Sequence, residues 1–144
     1  MLYSQKIFDA INLMCEAHKD VIDKSGIPYI FHPYHLAEQM QTEDTVIAAL
    51  LHDVMEDTDF TEDDLRARGI TENVIDALRL LNHDDSTPYM DYVRALRSNE
   101  IARAVKIADL THNLDKSRMP KGLTENLMKK RSTYKEALAY LLKD

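Results

Sequence analysis

Residues 46–51 are all apolar, and four of the next six residues, 52–57, carry ionisable side chains. The apolar part, Val46 to Leu51, leaves no polar stripe, so a helix here must be buried on most of its circumference. At helical spacing the ionisable side chains point broadly one way. They are His52, Asp53, Glu56 and Asp57. Burial of unpaired charges is costly, and a bound cation would remove that cost.

A second interpretation of these four residues stays open at this point. They would then form the solvated last turn of a helix that runs into the acidic stretch from Asp59 to Asp64. Carboxylates at a helix C-terminus face the negative end of the helix dipole. Candidate ligands elsewhere in the chain favour the cation.

Length and composition limit the remaining possibilities. A chain of 144 residues with 44% hydrophobic and 30% charged residues predicts one domain, residues 1–144, with a single core. No apolar run reaches the ~18 residues of a membrane span and no signal-peptide pattern is present, so we expect a cytoplasmic protein with no membrane partner. The single Cys15 cannot form an intrachain disulfide, and we expect it in the core.

Charge is unevenly distributed along the chain. The net charge of −7 argues against nucleic acid as a partner. Residues 53–64 contain seven acidic and no basic residues, whereas residues 116–131 contain six basic residues and one acidic residue. The basic run, which begins at Lys116, is either a solvated helix face or a surface that attracts a phosphorylated ligand. The sequence leaves the oligomeric state open.

Apolar residues recur every three or four positions along the chain, and no sustained period-two segment occurs. This pattern predicts an all-α protein with about seven or eight helices. The first helix is predicted to end near Lys24, before the breaker at residues 25–28. The helix after Thr42 is predicted to continue to about Asp57. Predicted N-caps are Thr42, Thr61, Thr71 and Ser98.

Two residues outside residues 46–57 are further candidates for a cation site. His32 precedes Pro33, which suits the first turn of a helix, so this histidine lies at a joint that fixes its direction. Asp109 ends the run Ala-Val-Lys-Ile-Ala-Asp and is predicted in the interior or at a cleft wall, where a carboxylate needs a cation. Lys106, one turn earlier, is one candidate for that cation.

The other candidate is a metal ion. The proposed ligands, His32, His52, Asp53 and Asp109, offer two nitrogens and two oxygens, a set that suits Mn²⁺, Fe²⁺, Co²⁺ or Zn²⁺ rather than Ca²⁺ or Mg²⁺. Such a metal polarises a phosphoryl oxygen or generates hydroxide, and it leaves Glu56 and Asp57 to handle protons. By default His18, His35 and His83 are taken as structural.

Three ordered blocks resemble the hydrolase domain of the RelA/SpoT family, within the HD-domain metal phosphohydrolases. They are KSGIPYI with HP at residues 24–33, AALLHDV with EDT at residues 48–58, and VKIAD with HN at residues 105–113. The resemblance extends over roughly residues 1–120. It implies a compact HD-type helical bundle, a single HD-type phosphohydrolase domain, and Mn²⁺-dependent removal of the 3′-pyrophosphate from the alarmone (p)ppGpp.

The resemblance also implies roles for individual residues. The matching metal ligands are His32, His52, Asp53 and Asp109, and the matching catalytic acids are Glu56 and Asp57. Positions that hold the nucleotide match Lys24, Ser25 and Asn113, to which we add Lys116 as a phosphate contact.

Two departures from the family pattern concern the substrate. The family usually has an arginine where this chain has Asp23, and another where it has Leu110. The segment between Leu81 and Ile101 is also shorter than in long family members. We therefore expect hydrolysis of (p)ppGpp or a related phosphorylated nucleotide with altered base preference. The alternatives are an HD nucleotidase or phosphatase for another nucleotide, and a nucleotide-sensing module whose metal is structural.

Overall fold

The computed structural model describes residues 3–115 and 124–144. These ranges contain nine helices and one isolated bridge, between Ile22 and Pro28, which confirms the all-α prediction. The helices are α1 (Gln5–Ala17), α2 (Phe31–Glu38), α3 (Glu43–Leu51), α4 (Val54–Asp57), α5 (Glu62–Ala67), α6 (Glu72–Leu81), α7 (Tyr89–Leu96), α8 (Glu100–Asn113) and α9 (Glu125–Leu142). None of the helices in the described ranges could span a lipid bilayer.

Local side-chain hydrogen bonds set where several helices begin. The Thr42 hydroxyl accepts the backbone N–H of Thr45, whose own hydroxyl accepts the N–H of Thr42. Thr61 caps α5 in the same reciprocal way. The predictions of Thr42 and Thr61 as caps are confirmed, but the prediction of Ser98 is wrong by one residue. Asn99 caps α8, because its side-chain oxygen accepts the N–H of Ala102 at 2.9 Å.

The first helix is shorter than predicted. It ends at Ala17 rather than near Lys24, and Asp20 then takes a left-handed conformation with φ of 62°. The chain turns back, and the N–H of Tyr29 donates to the carbonyl of Val21. Val21, which fits the helical apolar row, is 45% exposed. Its backbone pairs across the loop instead of continuing α1.

The predicted helix from Thr42 to Asp57 is divided in two. Helix α3 ends at Leu51, and Asp53, with φ of −104° and ψ of 0°, precedes the single turn α4. The His52 ring donates from Nδ1 to the carbonyl of Ala49 at 2.8 Å. A continuous helix would use that carbonyl for the N–H of Asp53, so the imidazole competes with the helical hydrogen bond. With this division the described ranges contain nine helices, where about seven or eight were predicted.

Helix α3 lies at the centre of the core. It packs against α1, α2, α6 and α8, and α9 packs on α8. All residues from Val46 to Leu51 are buried, as their unbroken apolar pattern requires. Leu110 is also fully buried, so the position where the family usually has an arginine belongs to the core here. Cys15 is exposed on α1, and its predicted core location is therefore wrong.

Candidate metal centre and its cavity

Three of the four predicted metal ligands come together from three helices. His32 lies on α2, His52 follows the last residue of α3, and Asp109 lies on α8. Each is only 6% exposed, and one ligand atom from each lies within 4.8 Å of the other two. The Nε2 atoms of His32 and His52 lie 2.9 Å and 3.7 Å from Oδ1 of Asp109.

The Nε2 atom of His52 shows why this cluster suits a cation. Because Nδ1 donates to the Ala49 carbonyl, Nε2 of a neutral His52 carries the lone pair. That atom is buried and makes no hydrogen bond with any residue in the described ranges. It faces two carboxylate oxygens, of Asp53 at 3.1 Å and of Asp109 at 3.7 Å. A divalent transition metal bound by these nitrogen and oxygen atoms would remove the repulsion, so the donor set fits such an ion.

Asp53 borders the cluster without belonging to its closest group. Its Oδ2 accepts a hydrogen bond from the hydroxyl of Tyr29, and its side chain is 22% exposed. Burial, followed by the negative charges of Asp109 and Asp57, raises the pKa of the Asp53 carboxyl well above its usual value. Ionised Asp53 is therefore unfavourable here unless a cation is nearby.

The two oxygens of the Asp109 carboxylate have different neighbours. Lys106 donates to Oδ2 at 2.9 Å, while Oδ1 faces the two histidines. Burial alone would raise the pKa of Asp109, but the Lys106 charge, the hydrogen bond from His32 and the proximity of His52 hold it well below its usual value. Lys106 and a metal are therefore compatible partners for opposite oxygens of one carboxylate, rather than alternatives.

A cavity of about 490 Å³ opens above these ligands. Among its walls are the predicted catalytic residue Glu56 and the predicted substrate contacts Lys24, Ser25 and Asn113. The side-chain amide of Asn113 donates to Asp109 Oδ1 at 3.0 Å. Lys116 lies outside the described residues.

The two predicted catalytic acids have different environments. Glu56 lines the cavity, and its Oε1 accepts the backbone N–H of His83 at 3.0 Å. Asp57, the last residue of α4, is exposed and is not among the described lining residues. Its charge nevertheless reaches the site, because it contributes to the raised pKa of Asp53.

Several cavity residues had no distinguishing signal in the sequence. Lys130 and Arg131 of α9 line the wall, although their basic run also fits an ordinary solvated face. His83, taken as structural, lines the cavity as well, and its Nε2 donates to the carbonyl of Thr87 at 2.7 Å. Four tyrosines from three separate segments also line the cavity: Tyr29, Tyr89, Tyr92 and Tyr134.

Asp23 lies in the cavity wall, but its carboxylate also has a local role. Oδ1 accepts the backbone N–H groups of Ser25 at 2.8 Å and Ile27 at 3.0 Å. Gly26, between them, has φ of 79°, a conformation that glycine adopts without strain. Asp23 therefore shapes the loop that presents Lys24 and Ser25 to the cavity.

No family model matches the chain. Individual proteins do, including guanosine-3′,5′-bis(diphosphate) 3′-pyrophosphohydrolase MESH1 of Xenopus tropicalis, 34% identical over 122 residues that make up 75% of this chain and 67% of that protein. The chain belongs to the guanosine-3′,5′-bis(diphosphate) 3′-pyrophosphohydrolase family. This membership confirms the resemblance drawn from the three sequence blocks.

Longer members of the family match over smaller fractions of their length. The enzyme of Aquifex aeolicus is 40% identical over 70 residues, 46% of this chain and 10% of that protein. The bifunctional (p)ppGpp synthase/hydrolase SpoT of Escherichia coli is 32% identical over 113 residues, 69% of this chain and 16% of that protein. The chain thus spans less than a fifth of these long relatives.

A solved structure shares the fold. It is described as a metazoan ortholog of SpoT that hydrolyzes ppGpp and plays a role in starvation responses. The match has a TM-score of 0.78 at 23% identity and covers 99% of this chain and 88% of that one. The helical arrangement is therefore shared along almost the entire chain.

Proposed function

We propose that this chain is a metal-dependent phosphohydrolase that removes the 3′-pyrophosphate of (p)ppGpp or of a related phosphorylated nucleotide. In this proposal residues 1–144 act as one domain in the cytoplasm. The observation that carries it is the buried set His32, His52 and Asp109 beneath a cavity that also contains Glu56. The names of the MESH1 and SpoT relatives support the same reaction.

The three clustered residues would hold the metal, with Asp53 as the proposed fourth ligand. Mn²⁺ is the ion we propose, and Fe²⁺, Co²⁺ and Zn²⁺ also suit these donors. When bound, the metal would polarise a phosphoryl oxygen and lower the pKa of a bound water.

Glu56 is the residue we assign to proton transfer. The backbone N–H of His83 engages Oε1 and fixes the carboxylate in the wall. Oε2 then remains to accept a proton from the attacking water and to return it to the leaving group. We retain Asp57 as an accessory acid whose charge acts on the site from outside the cavity wall.

Positive side chains give the cavity its preference for an anionic substrate. Lys24 approaches from the loop, and Lys130 and Arg131 approach from α9. On a chain of net charge −7, these cations would attract the phosphates of the proposed substrate to the cavity. Ser25 and Asn113 complete the proposed substrate contacts, together with Lys116.

A related hydrolase for a nucleotide with another base is the second candidate. Asp23 stands where the family usually has an arginine, and its Oδ1 is engaged by two backbone N–H groups. A carboxylate cannot provide the planar cation that stacks on a purine. This observation favours a relaxed base preference within the same chemistry.

A product assay tests these proposals. The native chain with Mn²⁺ is incubated with guanosine and adenosine 3′,5′-polyphosphates, and with GTP and GDP as controls that lack a 3′-phosphate. Pyrophosphate released only from the 3′-substituted nucleotides is the expected result. Orthophosphate from GTP or GDP would indicate a nucleotidase or phosphatase, and tight binding with no turnover would indicate a sensing module. The Glu56→Gln variant is the matched control for contaminating activity.

A further inference from the structure

His32 makes a second close contact through its other ring nitrogen. Its Nδ1 lies 2.7 Å from Nδ1 of His112, while its Nε2 lies 2.9 Å from Oδ1 of Asp109. The rings of His32 and His112 are inclined by 6°, with centroids 5.0 Å apart. Asp109 and His112 are three residues apart on α8, so one helix face supplies both groups that flank His32.

The short distance between the two Nδ1 atoms determines how their protons are arranged. One atom must carry a hydrogen and the other a lone pair, because two N–H groups or two lone pairs would repel. A metal bound by Nε2 of His32 requires the lone pair there, so the ring proton lies on Nδ1. In that state Nδ1 of His112 is the acceptor, and the proton of His112 lies on Nε2.

We propose that His112 is a positioning residue of the metal centre, which accepts the hydrogen bond from Nδ1–H of His32. It thereby holds the His32 imidazole in the tautomer and orientation that direct the Nε2 lone pair towards Asp109. Histidine ligands of metals usually donate their other N–H to a carboxylate, a carbonyl or water. A second imidazole takes that place here. The inference rests on the proposed function only in requiring that the site binds a metal.

An imidazole acceptor has a property that a carbonyl lacks, because its Nδ1 can also donate. Without metal, Nε2 of His32 faces the Asp109 carboxylate and carries the proton, so His112 donates from Nδ1. A metal bound at Nε2 would require His32 to release that proton to solvent and to take the Nδ1 proton from His112. His112 would then take up a proton from solvent at Nε2. Each ring would carry one proton before and after, and the hydrogen bond between the two rings would reverse its direction.

His35 provides a matched control for ring packing. Its ring centroid lies 4.2 Å from that of His112, inclined by 33°, and the residue is exposed on α2. His35 therefore packs on His112 from a position next to the pair. Its replacement by phenylalanine preserves an aromatic contact and leaves the bond between His112 and His32 in place.

Titration of the chain with Mn²⁺ by calorimetry tests the proposal without any measurement of catalysis. His112→Phe retains a planar ring but removes the acceptor, and we expect it to weaken Mn²⁺ binding by roughly 10- to 100-fold. His112→Gln supplies a carbonyl acceptor and should restore most of the affinity, while His35→Phe should match the native chain. Unchanged affinity in a folded His112→Phe variant would overturn the inference, as would a native chain that binds no Mn²⁺.

Nitrogen-15 spectra of the imidazoles provide the second measurement, on the native chain loaded with diamagnetic Zn²⁺, so they decide the question even if His112→Phe does not fold. The expected result is a proton on Nδ1 of His32 and on Nε2 of His112. A proton on Nδ1 of His112 in the Zn²⁺-loaded chain would overturn the inference. A chain that binds metal with the expected tautomers but hydrolyses no nucleotide would contradict the proposed function and leave the role of His112 supported.

Discussion

The floor of the cavity and its entrance are built in opposite ways. The floor consists of His32, His52 and Asp109, each 6% exposed and held by helices that share the central core. The entrance consists of the exposed loop that bears Lys24 and of the exposed face of α9 that bears Lys130. A buried charged group requires a partner, whereas an exposed lysine does not. We therefore expect the floor to accept only one type of ligand. Substitutions at the entrance, by contrast, can change the substrate preference without disturbing the fold.

The largest effect should come from the floor. In His52→Ala we expect the loss of bound Mn²⁺ and of all hydrolysis, because the substitution removes one of three clustered donors. Elemental analysis of the purified variant measures the metal. His35→Ala, an exposed histidine outside the cluster, serves as the control. Stoichiometric metal in His52→Ala would contradict the ligand assignment. Asp109→Ala is a poorer test, because it leaves Lys106 without its carboxylate partner.

The next effect separates the two acids. Glu56→Gln should retain metal but lower kcat by about 10²–10⁴-fold, the usual contribution of a positioned acid or base. Asp57→Asn should have a smaller effect, because Asp57 does not line the cavity and acts only through its charge. Single-turnover rates at saturating Mn²⁺ measure both. Equal losses in the two variants would mean that Asp57 also reaches the substrate, as the sequence alone suggests.

The ionisation of Asp53, which borders the floor, should appear in the pH dependence of stability. The folded-state pKa of Asp53 lies above its usual value of 3.8, first because of burial and then because of nearby carboxylates. Between these two pKa values the folded chain binds more protons than the unfolded chain, so stability falls as pH rises through that window. A bound divalent cation favours the carboxylate and should remove this loss.

Thermal unfolding from about pH 4 to about pH 8, in EDTA and in excess Mn²⁺, measures this linkage. Burial lowers the pKa of His18 from 6.5, and this change has the opposite sign, because stability then rises with pH below 6.5. The relevant quantity is therefore the difference in Tm between the native chain and Asp53→Asn. We expect that difference to decrease with rising pH in EDTA and to remain nearly constant in Mn²⁺. The same slope in both buffers would argue against a cation at this position.

The sequence predicted the floor better than the entrance, for a physical reason. Asp109 stands out because an acid within an apolar helix needs a partner, and Thr42 and Thr61 mark helix starts because their hydrogen bonds are local. The division between α3 and α4 depends on the bond from His52 to Ala49, which spacing alone does not reveal. His112 contacts His32 from 80 residues away. The contact between His112 and His32 exists only after the helices have packed.

At the entrance the effects should be moderate and should spare the metal. Lys24→Met should raise KM about fivefold with unchanged Mn²⁺ content, which corresponds to the loss of about 1 kcal/mol from an exposed ion pair. Lys19→Met removes another exposed lysine, one that is not among the lining residues of the cavity, so it should leave KM unchanged. Steady-state kinetics at two salt concentrations measure the difference, which should shrink at high salt. An equal change of KM in both variants would show that the effect comes from the net charge of the chain and not from the position of Lys24.

The smallest effect concerns Asp23, where the substitution must preserve the loop. Asp23→Asn retains a side-chain oxygen for the N–H groups of Ser25 and Ile27 and removes only the negative charge, which reaches phosphates within the ~8 Å screening length. We expect a small rise in kcat/KM for every nucleotide polyphosphate and no change in base preference. Asp23→Arg removes the oxygen that accepts these two N–H groups but adds a planar cation that can stack on a purine, so it should raise the ratio of kcat/KM for guanosine over adenosine 3′,5′-polyphosphates. The native chain should show a low ratio, since its Asp23 offers no such platform. A strong guanine preference in the native chain, unchanged in both variants, would show that the base is recognised away from this loop and that Asp23 serves the backbone alone.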